Sequence, residues 1–253
     1  FPSPDSRDTI FYCPDHQSNL FRDIYLDIWD DGSDGTLIND DNLYAAYVYQ
    51  TVQNYGPYVD FWEVLSSPDF DFTGDYGWLP PGEPGNWWES NPDPCDYALR
   101  APIFYYVRQL RIAYEVIKNY DPDSYVTVSG IAFPSFLDAI CRNTDNPIDG
   151  SVTLGYEKTG GAYFDAVGFK SYPHFDGSTV YFDIPQGQFI YERHSDAAAA
   201  GIGQVKNEFQ SVLNNYGYNG DTHPKKEWII SEANVPRKQL ADFMGGDEVQ
   251  INW

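Results

Sequence analysis

Two short apolar stretches of the sequence end in polar residues that could do chemistry. Residues 61–68 read FWEVLSSP, and residues 227–234 read EWIISEAN. A carboxylate at the end of a strand can act as a nucleophile or a general base, whereas a serine hydroxyl does not yield a proton near neutral pH. The second stretch therefore carries a reactive acid, Glu232, and the first carries Ser66 and Ser67 in the equivalent place.

Elements that could position these residues follow from the hydrophobic pattern. Apolar segments alternate with helical patterns, which is typical of an α/β fold with parallel strands. The apolar segments predict strands at Ile24–Trp29, Tyr58–Val64, Tyr125–Ser129, Phe164–Phe169 and Glu227–Ile230, with a further one near residues 9–12. The helical patterns predict helices at Asn42–Asn54 (capped by Asp41), Ala98–Asn119, Phe133–Arg142 and Ser195–Tyr216.

Three segments of the chain resemble motifs of the retaining (β/α)8 glycoside hydrolases of clan A. In that family, strand 4 ends W-E-x-x-N-E-P, strand 6 runs D-A-I-G-x-H-x-Y-P, and strand 7 ends in a Glu. The second Glu of the first motif is the acid/base, and the Glu of strand 7 is the nucleophile. Residues 62–68, 165–173 and 228–232 match these motifs in the same order.

The resemblance implies an α/β fold of the (β/α)8 TIM-barrel type. It covers residues 20–253, in which strands 3 to 7 are recognisable, so the barrel is expected to be incomplete in this chain. We expect one glycosidase-like domain over residues 1–253. The chain opens without Met, and we interpret it as a piece of a longer polypeptide. In such a barrel the carboxyl ends of the strands share one rim, so residues 61–68 and 227–234 are expected together.

The sequence departs from the family at the catalytic acid/base. Ser66 stands for the Asn, Ser67 for the acid/base Glu, and Lys170 for the His of strand 6, whereas Glu232 keeps the nucleophile position. Loss of general acid catalysis typically costs on the order of 10²–10⁴-fold in rate. A lysine near Glu232 would also keep that carboxylate ionised by charge attraction.

These departures favour a secreted, extracellular glycosidase-like barrel that has lost classical retaining hydrolysis. Such a protein would bind carbohydrate or serve as a structural protein, for example in a filament or another homo-oligomer. The alternative is an active retaining β-glycosidase, with Glu232 as nucleophile and a displaced acid supplied by Glu63, Asp69 or Asp71. A third interpretation is a protein-interaction barrel without sugar contacts. The sequence thus leans against enzymatic activity without excluding it.

The side chains expected to contact a glycan lie on or near the predicted rim. Flat aromatic rings stack on sugar faces, and polar groups fix the orientation of the ligand. The long segment 66–96 exceeds ordinary loop length, which often marks a binding loop. The candidates are Trp29, Trp62, Glu63, Ser66, Trp87, Trp88, Lys170, Tyr172, His174 and Asn234. Most aromatic residues of the chain are expected to pack in the core, and the alternative for Glu63 is an interior carboxylate paired with Arg or Lys.

The net negative charge of the chain disfavours several classes of partner. Fifteen basic and 38 acidic side chains give a formal net charge of −23. Nucleic-acid binding depends on Lys and Arg neutralising phosphates, so this balance disfavours nucleic acids and anionic membrane surfaces. No run of 18 apolar residues is present, so no membrane span is predicted.

Other possible sites are weaker. Asp30, Asp31 and Asp34 offer oxygen atoms at loop positions that could bind Ca²⁺, but the closing bidentate Glu of a calcium loop is missing, and an acidic turn is the alternative. No other cofactor is expected. Three cysteines allow at most one internal disulfide, for which Cys95–Cys141 is the favoured pair, with buried free thiols as the alternative.

Overall fold

The computed structural model describes residues 22–69, 102–171, 180–191 and 194–233. Its strands are β1 (Phe61–Val64), β2 (Tyr125–Ile131), β3 (Ala166–Ser171), β4 (Val180–Asp183), β5 (Gln188–Tyr191) and β6 (Glu227–Ala233). Its helices are α1 (Leu43–Tyr55), α2 (Ile103–Tyr120), α3 (Pro134–Arg142) and α4 (His194–Asn215), with 3₁₀ turns at Gly56–Tyr58 and Gly160–Tyr163.

Four strands form a parallel sheet in the order β1-β2-β3-β6. The helices α2, α3 and α4 lie in the connections between consecutive strands of this sheet. Within this sheet, each strand is thus the neighbour of the sheet strand that precedes it in the chain, as in a segment of a β/α barrel. The predicted α/β class with parallel strands is confirmed, and closure into a barrel stays a prediction.

One face of the sheet packs against the helices and forms the core. Val64 pairs with Val128, which pairs with Val167, and this row is buried. Large apolar side chains of α2, α3 and α4 cover it, among them Leu110, Phe136 and Phe209. Each fully buried side chain of this size contributes roughly 1.5–3 kcal/mol through removal of apolar surface from water. Alternation along the strands places Glu63, Thr127 and Lys170 on the opposite face.

The predicted strand at Ile24–Trp29 is wrong. These residues form turns and a single antiparallel bridge between Trp29 and Ile38. The carbonyls of Ile24 and Leu26 accept hydrogen bonds from the Arg108 guanidinium on α2 in place of a neighbouring strand. The apolar pattern that suggested a strand reflects burial of Ile24 and Ile28 against the helix layer.

Two smaller expectations also need correction. Helix α1 is capped by Asn42 and not by Asp41, because the Asn42 side chain accepts from the Ala45 amide. Cys141 is a buried free thiol, so the favoured disulfide with Cys95 is not formed. Cys95 itself lies outside the described residues. The hairpin of β4 and β5 was not predicted from the sequence.

A buried charge cluster ties the segment before α1 to the helix layer. Asp145 is fully buried, and both Arg108 and Arg111 donate to its carboxylate at 3.1–3.2 Å. Arg108 also donates to two backbone carbonyls of the segment 24–26. Buried ions are stable only when paired and hydrogen-bonded, so these contacts must form together.

Replacement of Asp145 by Asn should therefore destabilise the protein strongly. It leaves the buried Arg108 charge without compensation, which costs about 3–5 kcal/mol in the free energy of unfolding. Urea unfolding followed by circular dichroism measures the loss. The control is Asp23→Asn in the exposed Arg22–Asp23 pair, which should change stability by less than about 1 kcal/mol. Equal losses in the two variants would contradict a structural role for the cluster.

Candidate functional site

The carboxyl ends of β1, β3 and β6 bring together three polar side chains. Ser67 follows β1, Lys170 lies near the end of β3, and Glu232 lies near the end of β6. Lys170 and Glu232 are direct neighbours across the two strands, after an irregularity in the register at Phe169. A bulge of this kind re-aims side chains at the end of a strand.

The Lys170 ammonium group joins the other two side chains. Its Nζ donates to Ser67 Oγ at 2.5 Å and lies 3.3 Å from Glu232 Oε2. Lys170 is mostly covered, with 24% of its side chain exposed, whereas 52% of Glu232 is exposed. Ser67 and Glu232 are therefore bridged by a cation. We call this set of three residues the Ser-Lys-Glu cluster.

The backbone after β1 has an unusual conformation that presents Ser67. Leu65 and Ser67 both adopt left-handed φ angles, 63° and 55°. Such a conformation costs roughly 1–2 kcal/mol for a residue with a side chain, so surrounding contacts must hold it. The contact between Ser67 and Lys170 is one of these.

A glycine at the end of β2 makes room for the lysine. Gly130 has a φ of 44°, and a Cβ atom there would lie 3.2 Å from Lys170 Cε and 3.3 Å from Ser231 Oγ. The backbone of β2 and the lysine stem therefore pass closely. Sequence analysis did not single out Gly130, although a glycine at a strand end is a recognisable sign of close backbone approach.

Asp69 anchors the loop after β1 to the start of α3. Its Oδ2 atom accepts from the amides of Ala132 and Phe133 at 2.6 and 2.8 Å. The residue is buried, and burial raises its pKa from 3.8 to about 6, against the opposing effects of these amides and of Lys170. In the structure Asp69 is a buried anchor for the loop that carries Ser67. The role of a displaced acid, for which the sequence made it a candidate, stays a prediction.

The other candidates on the described residues are dispersed. Trp29 lies on the helix layer, where its Nε1 donates to Glu115 of α2. Trp62 is partly buried against the core, and Ser66 is exposed beside Ser67. Glu63 is exposed on the sheet face opposite the helices, and none of the ion pairs within the described part of the chain includes it. Its pairing with Arg or Lys in a barrel interior stays a prediction.

Several predicted contact residues lie outside the described residues. These are Trp87, Trp88, Tyr172, His174 and Asn234, together with Asp71. Their proposed roles stay predictions. Of the twelve residues assigned to catalysis or glycan contact, the structure brings together Ser67, Lys170 and Glu232.

The candidate calcium loop uses its carboxylates locally. Asp30, Asp31 and Asp34 each accept the amide of the residue two positions later, at 2.8–3.0 Å. The bond from Ser33 also lowers the pKa of Asp31. These contacts are side-chain turns. Binding of Ca²⁺ by this loop stays a prediction. In the described ranges, no three His, Cys, Asp or Glu residues group as metal ligands.

Comparison with known proteins gives distant structural similarity and no sequence relative. No protein-family model matches the chain, and no curated protein matches it. Among solved structures, the chain is similar to a psychrophilic glycoside hydrolase family 10 endo-beta-1,4-xylanase, with 14% sequence identity and a TM-score of 0.32. The match covers 83% of this chain and 63% of that chain, so the chain spans less than two thirds of its length. A TM-score this low assigns neither fold nor activity.

The raised pKa of Asp69 predicts a pH dependence of stability. The folded state holds the proton of the Asp69 carboxyl more tightly than the unfolded chain does. Asp69 therefore contributes stability that is fully present at low pH. That contribution is lost as the pH rises from about 4 to about 6. The difference in unfolding free energy between wild type and Asp69→Asn should therefore fall by up to about 3 kcal/mol over this range.

Chemical unfolding at a series of pH values measures that difference. Asp149→Asn is a control with the opposite sign, because hydrogen bonds from Ser151 lower the pKa of that exposed carboxyl. For Asp149 the stabilising contribution should be lost as the pH falls below its ordinary value of 3.8. A pH-independent difference for Asp69→Asn would show that Asp69 titrates alike in both states.

Proposed function

We propose that this chain is a glycosidase-like α/β protein that binds carbohydrate at the carboxyl edge of its sheet and does not carry out retaining glycoside hydrolysis. The Ser-Lys-Glu cluster is the observation that carries the proposal. Within the described residues, a lysine ammonium occupies the place between the acid/base position and the nucleophile position.

Retaining hydrolysis needs two carboxyl groups about 5–5.5 Å apart, one to attack and one to protonate the leaving oxygen. Ser67 stands at the acid/base position, and a serine hydroxyl is too weak an acid to protonate the leaving sugar oxygen near neutral pH. Asp69 Oδ2 accepts from two backbone amides, which supports a role in holding the loop and not in protonating the leaving oxygen. Glu232 is also drawn into an ion pair with Lys170, which reduces its availability as a nucleophile.

The same groups suit recognition of a polar ligand. A hydroxyl, an ammonium group and a half-exposed carboxylate offer both donors and acceptors to sugar hydroxyls. A structural or filament-forming role rests on the acidic, aromatic-rich composition and the long segment 66–96, and a secreted location likewise stays a proposal. None of the helices in the described part of the chain has the length and apolar character needed to cross a bilayer.

Aryl glycosides with good leaving groups test the loss of hydrolysis. These substrates need no acid for the first step, so an intact nucleophile would still release the phenol, and azide would speed the second step. We expect wild type and Glu232→Gln to release the phenol at the same rate, both with and without azide. Azide-stimulated release that disappears in Glu232→Gln would contradict the proposal and favour a residual glycosidase.

A glycan array followed by calorimetry tests carbohydrate binding. We expect binding of a defined oligosaccharide that weakens about tenfold or more in Glu232→Ala, since one lost hydrogen bond to a charged group costs about 1.5–3 kcal/mol. Glu157→Ala, an exposed acid in the loop before β3, serves as the control. The absence of binding across the array would favour the protein-interaction alternative.

A further inference from the structure

We propose that Ser67 is a nucleophile for acyl groups, activated by Lys170 and Glu232, so that the Ser-Lys-Glu cluster can cleave carboxylic esters. This chemistry is distinct from glycoside cleavage and needs no second carboxyl group. It also does not depend on carbohydrate binding, because it follows from three side chains whose contacts are fixed in the structure.

Serine is a weak nucleophile until a neighbouring base takes its proton, and lysine is an established partner in this role. Ser67 Oγ lies 2.5 Å from Lys170 Nζ, within the range in which a proton can pass between them. Glu232 Oε2 lies 3.3 Å from the same nitrogen, so it orients the base as the third member of the set.

The backbone supports the same assignment. Ser67 sits at the end of a strand in a left-handed conformation with a φ of 55°, and strained residues of this kind cluster at active sites. Nucleophilic serines also occur on sharp strand-to-helix turns in unrelated hydrolases. Ser67 and Glu232 are not buried, so an ester could approach the hydroxyl from the solvent side of the edge.

The reaction starts from the hydrogen bond that Lys170 Nζ donates to Ser67 Oγ. The reacting form is the one in which Nζ has released one proton to water, so that it can act as a base. On attack, this neutral amine accepts the Oγ proton while a bond forms between Oγ and the carbonyl carbon, and Glu232 stays ionised beside the ammonium that results. The bond between that carbon and the alkoxide breaks, and the proton returns through Nζ to the alkoxide, which leaves as an alcohol.

Water completes the turnover. Its oxygen attacks the acyl carbon, and its proton passes to the Lys170–Glu232 pair. The bond from the carbon to Ser67 Oγ then breaks, Oγ takes the proton back, and a carboxylic acid is released. No oxidant, metal or cofactor is required, and every bond that forms is matched by one that breaks.

The test uses p-nitrophenyl acetate with the full 253-residue chain. Intact-mass spectrometry after a short incubation should show one added acetyl group, and peptide mapping should place it on Ser67. Release of p-nitrophenol should fall by roughly 10²-fold or more in Ser67→Ala, and by a similar factor in Lys170→Met, since general-base catalysis contributes 10²–10⁴-fold.

Matched variants separate this role from a structural one. Ser211→Ala changes an exposed serine on α4 whose hydroxyl bonds to a helix carbonyl, and it should react like wild type. Melting temperatures of all variants show that they fold. An acetyl group on any residue other than Ser67, or equal release by wild type and Ser67→Ala, would overturn the proposal. Neither result bears on carbohydrate binding, which the glycan array measures separately.

Discussion

The contact of one lysine with two strand ends is the interaction on which the functional interpretation of this protein depends. Lys170 Nζ reaches Ser67 beyond β1 and Glu232 on β6, and so links three of the four parallel strands at their carboxyl ends. A cation this close to Glu232 stabilises its carboxylate. The same contact makes the serine hydroxyl a partner for proton transfer.

Several less visible features allow that contact. The irregular register at Phe169 brings Lys170 opposite Glu232, and Gly130 leaves room for the lysine stem. Left-handed backbone at Leu65 and Ser67 turns the chain after β1 towards the lysine. Buried Asp69 then fixes this turn to the amides at the start of α3. A buried anchor with a raised pKa is tolerated because its hydrogen bonds offset part of the cost of burial.

The sequence predicted the elements around the site better than the site itself. Apolar runs predicted β1, β2, β3 and β6, and helical patterns predicted the four helices of the described residues, because burial dictates both kinds of pattern. The prediction of a strand at Ile24–Trp29 was wrong because two carbonyls of this segment accept hydrogen bonds from Arg108. That residue lies 82–84 positions further along the chain, so no local pattern shows the contact. For the same reason no local pattern showed that Asp69 is an anchor, or that Trp29 and Trp62 pack on the helix layer.

The nitrogen signals of the lysine side chains in a ¹H–¹⁵N NMR spectrum test the Lys170 contact most directly. The signal of Lys170 is identified by its absence in Lys170→Met. Because Nζ contacts both partners, this signal should shift in Ser67→Ala and again in Glu232→Gln, while the signals of other lysines stay in place. A Lys170 signal that is unchanged in both variants would contradict the bridge and with it the account of this site.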